Sequence, residues 1–349
     1  MSVPSRYPAA ALLAFAQRLL GAAGQPAGRA RDIAEVLLEG DLLGHTTHGL
    51  SLLDAYLDEI TQGRMPNTGE PEVVADHGHS LTWDGHYLPG PWLVRCLIAE
   101  AQRRLPQHGT VTACLRRSHH IACLEAFLEP VARAGQLLVL TCSDPGNRWV
   151  VPPGGTEPCY SPNPIACGIP THADPILVDL SLSTTSANAC MRAVRTGQRL
   201  PGPWLADANG QPTDDPRPLV ERREGGLYPI GGDQLGYKGF GLGLMVEALT
   251  NALGGAGRTD PQARWSCSVF LLLIDPARFG GLDAFRKEMS ALAETCRSSR
   301  PIPGGPPVRL PGEAALRRRS EQLADGVQVA PEVIKRLRPW ADRFAVPLP

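Results

Sequence analysis

Apolar residues near the start of the chain recur with the period of a helix. Leu12, Leu13, Phe15, Leu19 and Leu20 form one stripe, Pro26 stands where a second helix would start, and Ile33, Val36 and Leu37 continue that helix's buried face. A third helix is predicted between Gly49 and Gly63 from Leu50, Leu53, Tyr56, Leu57 and Ile60, which puts Thr47, His48 and Gly49 at its N-terminus. From about residue 70 the texture changes to short β-type runs, at Val111–Leu115, Leu137–Cys142, Ile165–Ile169, Ile176–Leu180 and Val269–Ile274. These predict one sheet with helices against it. Residues 145–175 and 199–236 are rich in Pro and Gly, which argues for long ordered loops, and a Pro-rich stretch at 301–311 precedes two polar helices over about 312–344.

At 349 residues the chain exceeds the usual size of a single core, so two domains are expected. Hydrophobic residues make up 43% and charged ones 20%, a globular balance. The formal net charge of −1 provides no global field for nucleic acid or anionic membrane, and Arg317, Arg318 and Arg319 read as a solvated helix face. Gln17 and Arg18 interrupt the first apolar run well short of a membrane span, which marks an amphipathic helix instead of a signal. Nine cysteines without a CxxC pair and mostly in apolar surroundings suggest reduced, buried thiols and a cytoplasmic protein.

No dinucleotide fingerprint follows a strand. Gly239, Gly241 and Gly243 come nearest, but GGDQLGYK precedes them, so they read equally as helix-packing glycines or as a phosphate contact. The histidines carry more. His48, in the first turn of the third helix, would be held neutral by the helix dipole while still able to donate a hydrogen bond to a carbonyl or imine. Taken alone, such a residue is more often structural. His119 and His120 follow a strand and precede an apolar helix, a turn that often bears active-site groups but also surface or capping residues. His45 with His48 (HxxH) and His77 with His79 (HGH) raise a metal site, yet no carboxylate or Cys stands at a matching spacing, and no metal is expected. Asp179 ends the strand ILVD before Ser181, Ser183, Thr184 and Thr185, which could bind a ribose or phosphate or simply cap a helix. Lys238 could meet a diphosphate or be solvated.

In this order, GHTTHGLSLLDAY, RRSHH, SPNPIACGIP, WLADANGQPTDDP, GYKGFGLGLMVEAL and VRLPGE resemble the malate/L-lactate dehydrogenase family over nearly the whole chain. That family also contains ureidoglycolate, sulfolactate and hydroxycarboxylate dehydrogenases and Δ1-piperideine-2-carboxylate reductase. The resemblance implies an α/β (α+β) homodimeric fold distinct from Rossmann enzymes. A helical part, 1–70, would be joined by C-terminal helices at 312–349, and 71–311 would form a cofactor and substrate domain on a largely antiparallel sheet. It implies hydride transfer between NAD or NADP and a small 2-oxo, 2-hydroxy or cyclic 2-imino acid. Carried over by position, His48 is the proton donor, Thr47 its neighbour, His120 the second catalytic His and Tyr56 the active-site Tyr, while Ser143, Asp179, Leu180, Ser181, Lys238, Pro311, Gly312 and Glu313 fall where the family binds the dinucleotide.

Several positions depart from the family pattern. Leu52 stands where many members have an Arg that clamps the substrate carboxylate, Pro162 replaces a Thr, Ala122 a Gly and Ala189 a Lys. Loss of the Arg contact, worth roughly 1.5 to 3 kcal/mol, disfavours a small dicarboxylate and favours a bulkier 2-oxo acid or a cyclic imino acid. Arg148, in GNRWVVPPGG, becomes the candidate for holding the carboxylate, unless it is a solvent-exposed loop residue. A metal-dependent hydrolase using the His pairs and a non-catalytic member of the same fold are the rival readings.

Overall fold

Pro8 and Pro26 each lead into a helix because a fixed φ and a missing N–H suit a helix start. A computed structural model describes residues 5–261 and 264–349. After a short strand β1 (Ser5–Tyr7) come α1 (Ala9–Ala22) and α2 (Ala27–Leu43), whose predicted stripes are buried against each other and the rest of the chain. The third helix, α3 (Leu53–Thr61), begins later than its periodicity implies, after one 3-10 turn at Leu50–Leu52. The cause lies at the end of α2. The Asp41 carboxylate accepts from Leu50 N–H at 2.7 Å and presses on Gly49, where a Cβ would come within 2.4 Å of it. The chain is thus pinned before it can wind, and His48 lies in the turn ahead of the helix.

The remaining elements are β2 (Glu72–Asp76), β3 (Ser80–Asp84), α4 (Gly90–His108), β4 (Thr110–Ser118), α5 (Leu128–Arg133), β5 (Leu137–Ser143), β6 (Ile165–Ile169), β7 (Ile176–Leu180), α6 (Ala187–Arg195), β8 (Leu205–Ala206), β9 (Pro212–Thr213), α7 (Arg217–Arg222), β10 (Gly226–Leu227), α8 (Gly232–Glu247), β11 (Cys267–Ile274), α9 (Leu282–Arg297), α10 (Glu313–Asp325), β12 (Val327–Val329) and α11 (Pro331–Phe344). Seven strands form the main sheet in the order β2-β3-β4-β11-β5-β6-β7. Neighbours are antiparallel except β3 and β4, which are parallel and joined through α4 as that pairing requires. All the predicted β runs lie in this sheet. Strands β2 and β3 lie outside the predicted runs, and β2 is an exposed edge without apolar alternation. The Pro/Gly-rich stretch 199–236 carries the small sheet β10-β8-β9, over a separate core that includes Trp149, Val150, Tyr160, Cys190 and Leu227.

The C-terminal helices return to the N-terminal ones. Arg318 donates to Leu43 O at 2.9 Å and Arg319 pairs with Glu39 at 2.6 Å, while Arg317 and Arg318 stay exposed as expected of a solvated face. Trp340 Nε1 donates to Asp54 at 2.9 Å, and β1 pairs antiparallel with β12. One continuous core joins α1, α2 and α3 to the sheet and to α10 and α11. The helix α8 is inverted: Gly236, Gly239 and Gly243 face inward, while Leu235, Tyr237, Leu242, Leu244 and Met245 are exposed. Added Cβ atoms would meet Ile230 O at 2.4 Å from Gly239 and the Tyr160 ring at 2.7 Å from Gly243, so these glycines serve close packing. Among the described residues, no helix is long and apolar enough to cross a membrane.

Candidate active site

Two turns bring the predicted histidines together. His48 stands in the turn between α2 and α3, and His120 just beyond β4; their rings stack with centroids 5.8 Å apart and an interplanar angle of 25°. Thr47 Oγ1 lies 3.0 Å from His48 Nδ1, which fixes that ring and leaves Nε2 as its working atom. Trp265 stacks on the other side of His120 at 4.5 Å. Nothing in the local sequence marked Trp265, because only the sheet, through β11, brings it to β4.

Tyr56 is fully buried. Its hydroxyl lies 2.9 Å from His120 Nδ1 and 3.1 Å from His120 O, so it orients His120 and presents no surface of its own. Ala122 N–H points at the same Nδ1 from 3.4 Å. An Nδ1 that accepts leaves the ring proton on Nε2. Burial pushes the His120 imidazole well below its usual range, with the neighbouring histidines adding to the effect. Burial likewise lowers His48, together with the charge on His45, to about 4. Both rings are neutral near pH 7.

Leu52 is buried in the core of the N-terminal helices, so it offers no contact to a carboxylate. Arg148 is exposed. A cavity of about 270 Å³ beside Trp265 is lined instead by Asp144, Gly146, Asn147 and Arg264. The Arg264 guanidinium sits 5.1 Å over the Tyr87 ring. Arg258 holds the cavity wall, donating to the carbonyls of Pro145 and Asn147 while paired with the Glu247 carboxylate at 2.6 Å.

The residues expected at the dinucleotide divide into two groups. Ser143 is fully buried, with its hydroxyl 2.7 Å from Glu247 Oε1, and belongs to that internal polar network. The others lie along β7 and the turn that follows it. Leu177 N–H donates to Pro311 O at 3.2 Å, and a Cβ on Gly312 would strike Leu177, so Pro311, Gly312 and Glu313 run beside β7. Glu313 pairs with Arg297. On the far side Ile230 N–H donates to Leu182 O at 2.9 Å and Gly239 N–H to Ile230 O at 3.2 Å, which anchors the α8 turn bearing Lys238. Leu180 is exposed, Ser181 Oγ lies 2.7 Å from Ser183 Oγ, and the Asp179 carboxylate accepts from Glu125 N–H at 2.8 Å.

His45 and His48 do not act as a pair of ligands. His45 instead gathers with Cys123 and Asp179, their ligand atoms within 4.8 Å of one another. Spacing along the sequence could not reveal this, since the three come from the end of α2, the loop after β4 and the end of β7. Burial lowers the His45 imidazole, but contacts with Cys123 and Glu125 outweigh it and raise the group to about 11. Ala122, where the resembled family has Gly, has φ of 64°, a left-handed conformation that an L side chain resists. Beside Ala189, Asn188 Nδ2 reaches Thr47 O at 3.4 Å, and Pro162 O accepts from Leu182 N–H at 2.9 Å.

Comparison with known proteins matches residues 7–338 to the family described as malate/L-lactate dehydrogenase. The L-lactate dehydrogenase of Cupriavidus necator is 30% identical over 343 residues, covering 96% of this chain and 97% of that one. The Δ1-pyrroline-2-carboxylate/Δ1-piperideine-2-carboxylate reductase of Pseudomonas syringae pv. tomato is 29% identical, covering 90% and 91%. In fold, the chain superposes on malate dehydrogenase from Entamoeba histolytica with a TM-score of 0.93 at 23% identity, covering 99% of each chain. With its paired histidine turns set on that frame, the chain belongs to the malate/L-lactate dehydrogenase family and is an oxidoreductase.

Proposed function

We propose that the protein transfers a hydride between NAD or NADP and a 2-oxo/2-hydroxy acid at the His48–His120 pair. The observation that carries this reading is the two stacked, neutral rings, one oriented by Thr47 and the other by Tyr56, with Trp265, which also lines the neighbouring cavity, stacked on His120. When bound, the nicotinamide supplies or accepts the hydride. In oxidation the neutral His48 Nε2 accepts the hydroxyl proton of the substrate and becomes an imidazolium, and in reduction that imidazolium returns the proton to the substrate oxygen. His120 presents its Nε2–H to the opposite side of the substrate. Trp265 excludes water from the His120 face.

The end of β7 suits a dinucleotide. Leu180 is an exposed apolar side chain against which a base can lie, Ser181 supplies a hydroxyl, and the Pro311–Gly312 turn keeps that edge low. Lys238 is exposed and has no ion-pair partner among the described residues, so it is available to a diphosphate. Asp179 acts indirectly by holding the loop after His120, and Ser143 takes no part. This cofactor site is not a Rossmann one: the sheet is mainly antiparallel and the α8 glycines face its packing side. On this reading residues 1–70 and 312–349 form the helical part and 71–311 the cofactor and substrate part.

Arg264, which lines the cavity, is better placed than the exposed Arg148 to hold the substrate carboxylate. We propose a homodimer closed over the exposed apolar face of α8, since a helix with glycines inward and leucines outward needs a covering surface. The free thiols support a reducing, cytoplasmic setting. A second reading, reduction of a cyclic 2-imino acid, is favoured by the similarity to the Pseudomonas syringae reductase. A panel of 2-oxo acids and Δ1-piperideine-2-carboxylate, followed by loss of NADH or NADPH absorbance, decides between the two. Absence of turnover with the entire panel, together with no binding of either reduced cofactor, would overturn both.

A further inference from the structure

We propose that His45, Cys123 and Asp179 form a binding site for one divalent transition ion of the zinc class. The three offer a nitrogen, a sulfur and an oxygen within 4.8 Å of one another. Cys123 Sγ and Asp179 Oδ2 are 3.8 Å apart. Zinc bonds of about 2.3 Å to sulfur and about 2.1 Å to oxygen, set tetrahedrally, place two such atoms roughly 3.6 Å apart, so the site closes on an ion with only small movements. A thiolate beside an imidazole selects zinc or cobalt over magnesium or calcium.

The surroundings are those of a built site. The Glu125 carboxylate meets His45 Nε2 and fixes that ring, as carboxylates do for metal-bound imidazoles. Asp179 is held by Glu125 N–H and His45 by its own N–H on Gly40 O. Cys123 and Glu125 are buried, whereas the His45 side chain is 35% exposed, which gives the ion a way in and room for a water as a further ligand. One imidazole here faces two carboxylates, an excess of negative charge that a dication balances, and the Cys123 thiol joins as a thiolate by releasing its proton to solvent on binding. The location gives the ion its role. His45 lies three residues before His48 and Cys123 three after His120, so the ion ties the two histidine turns to each other and to the end of β7.

The test needs no substrate and is independent of the proposed activity. Protein stripped with a chelator under reducing conditions is titrated with Co²⁺, then with Zn²⁺, while absorbance and melting temperature are followed. The expected result is one equivalent of Co²⁺ with a thiolate-to-cobalt charge-transfer band, displaced by Zn²⁺, and a higher melting temperature with Zn²⁺. Cys123→Ser should abolish the band, and His45→Gln, at a partly exposed position that keeps the fold, should weaken Zn²⁺ binding by about 100-fold or more. No band in the wild-type protein would show that the cluster is only an imidazolium–carboxylate pair. A band that survives in Cys123→Ser would assign the metal to another of the thiols. If Cys123→Ser does not fold, unchanged affinity in His45→Gln overturns the proposal.

Discussion

Replacing Asp41 by Asn should make the protein's stability less dependent on pH. Asp41 is 6% exposed, and one backbone N–H, that of Leu50, answers its carboxylate. Burial outweighs that hydrogen bond and pushes the group up to about 7, from 3.8 for an ordinary Asp. A group bound more tightly to its proton in the folded state contributes its full stability below the unfolded value and loses it as pH rises through the folded one. The wild-type protein should therefore weaken between about pH 4 and pH 7, by up to about 4 kcal/mol at roughly 1.36 kcal/mol per pH unit, with about 2.6 kcal/mol of this falling between pH 5 and pH 8. Asn is neutral throughout, and its amide oxygen can still accept from Leu50. Urea unfolding of both proteins, at one protein concentration with reductant present, near pH 5 and near pH 8, isolates this term because every other titrating group cancels in the difference. The Asn variant should gain on the wild type by about 2 to 3 kcal/mol across that interval. A difference that stays constant within about 0.5 kcal/mol would refute the argument that Asp41 is buried without adequate compensation.

On the best substrate found, His48→Ala should lower turnover by on the order of 10²-fold or more, with dinucleotide affinity measured by fluorescence titration nearly unchanged, since general acid–base help is typically worth about 10² to 10⁴. Ala122→Gly should stabilise the protein by about 0.5 to 1 kcal/mol, because relief of the left-handed strain exceeds the added unfolded-state entropy; a loss of stability in urea unfolding would contradict that account. Arg264→Ala should reduce the preference for a 2-oxo acid over its amide by roughly 10-fold, corresponding to about 1.4 kcal/mol, and more than Arg148→Ala does; the reverse order would reassign the carboxylate to Arg148. Leu244→Glu, on the exposed face of α8, should shift sedimentation from dimer to monomer, and a monomeric wild-type protein at micromolar concentration would remove the dimer.

Periodicity located the N-terminal and C-terminal helices and five of the seven strands of the main sheet, because burial imprints a period on the sequence, and β6 and β7 fall at their predicted residues. The edge strand β2 carries no such imprint. The stripes of the N-terminal helices are covered from far along the chain: α10 and α11, over two hundred residues downstream, lie against α2 and α3. In the site, the resemblance of the THG and RRSHH segments to the family's motifs named His48, Thr47 and His120, and the structure brings the three together. The stacking of Trp265 on His120, the Asp41 clamp on Gly49 and the meeting of His45 with Cys123 and Asp179 depend on non-local packing. No spacing rule within a segment could express them. Tyr56 was placed at the substrate by resemblance, and only its burial assigns it to His120.

The position of β11 bears on how the chain reaches this state. The strand nearest the C-terminus in the main sheet is also its centre, hydrogen-bonded to β4 on one side and β5 on the other. A ribosome that has released residues up to 180 has therefore presented both flanks of a gap that stays empty until residues 267–274 emerge. Meanwhile the facing edges of β4 and β5 are open to wrong partners, including each other and other nascent chains. The pairing of β1 with β12 adds a second closure that spans nearly the whole chain. Folding should accordingly be slow and late, governed by long loop closures, with C-terminal truncations that remove β11 yielding aggregates instead of a smaller folded core.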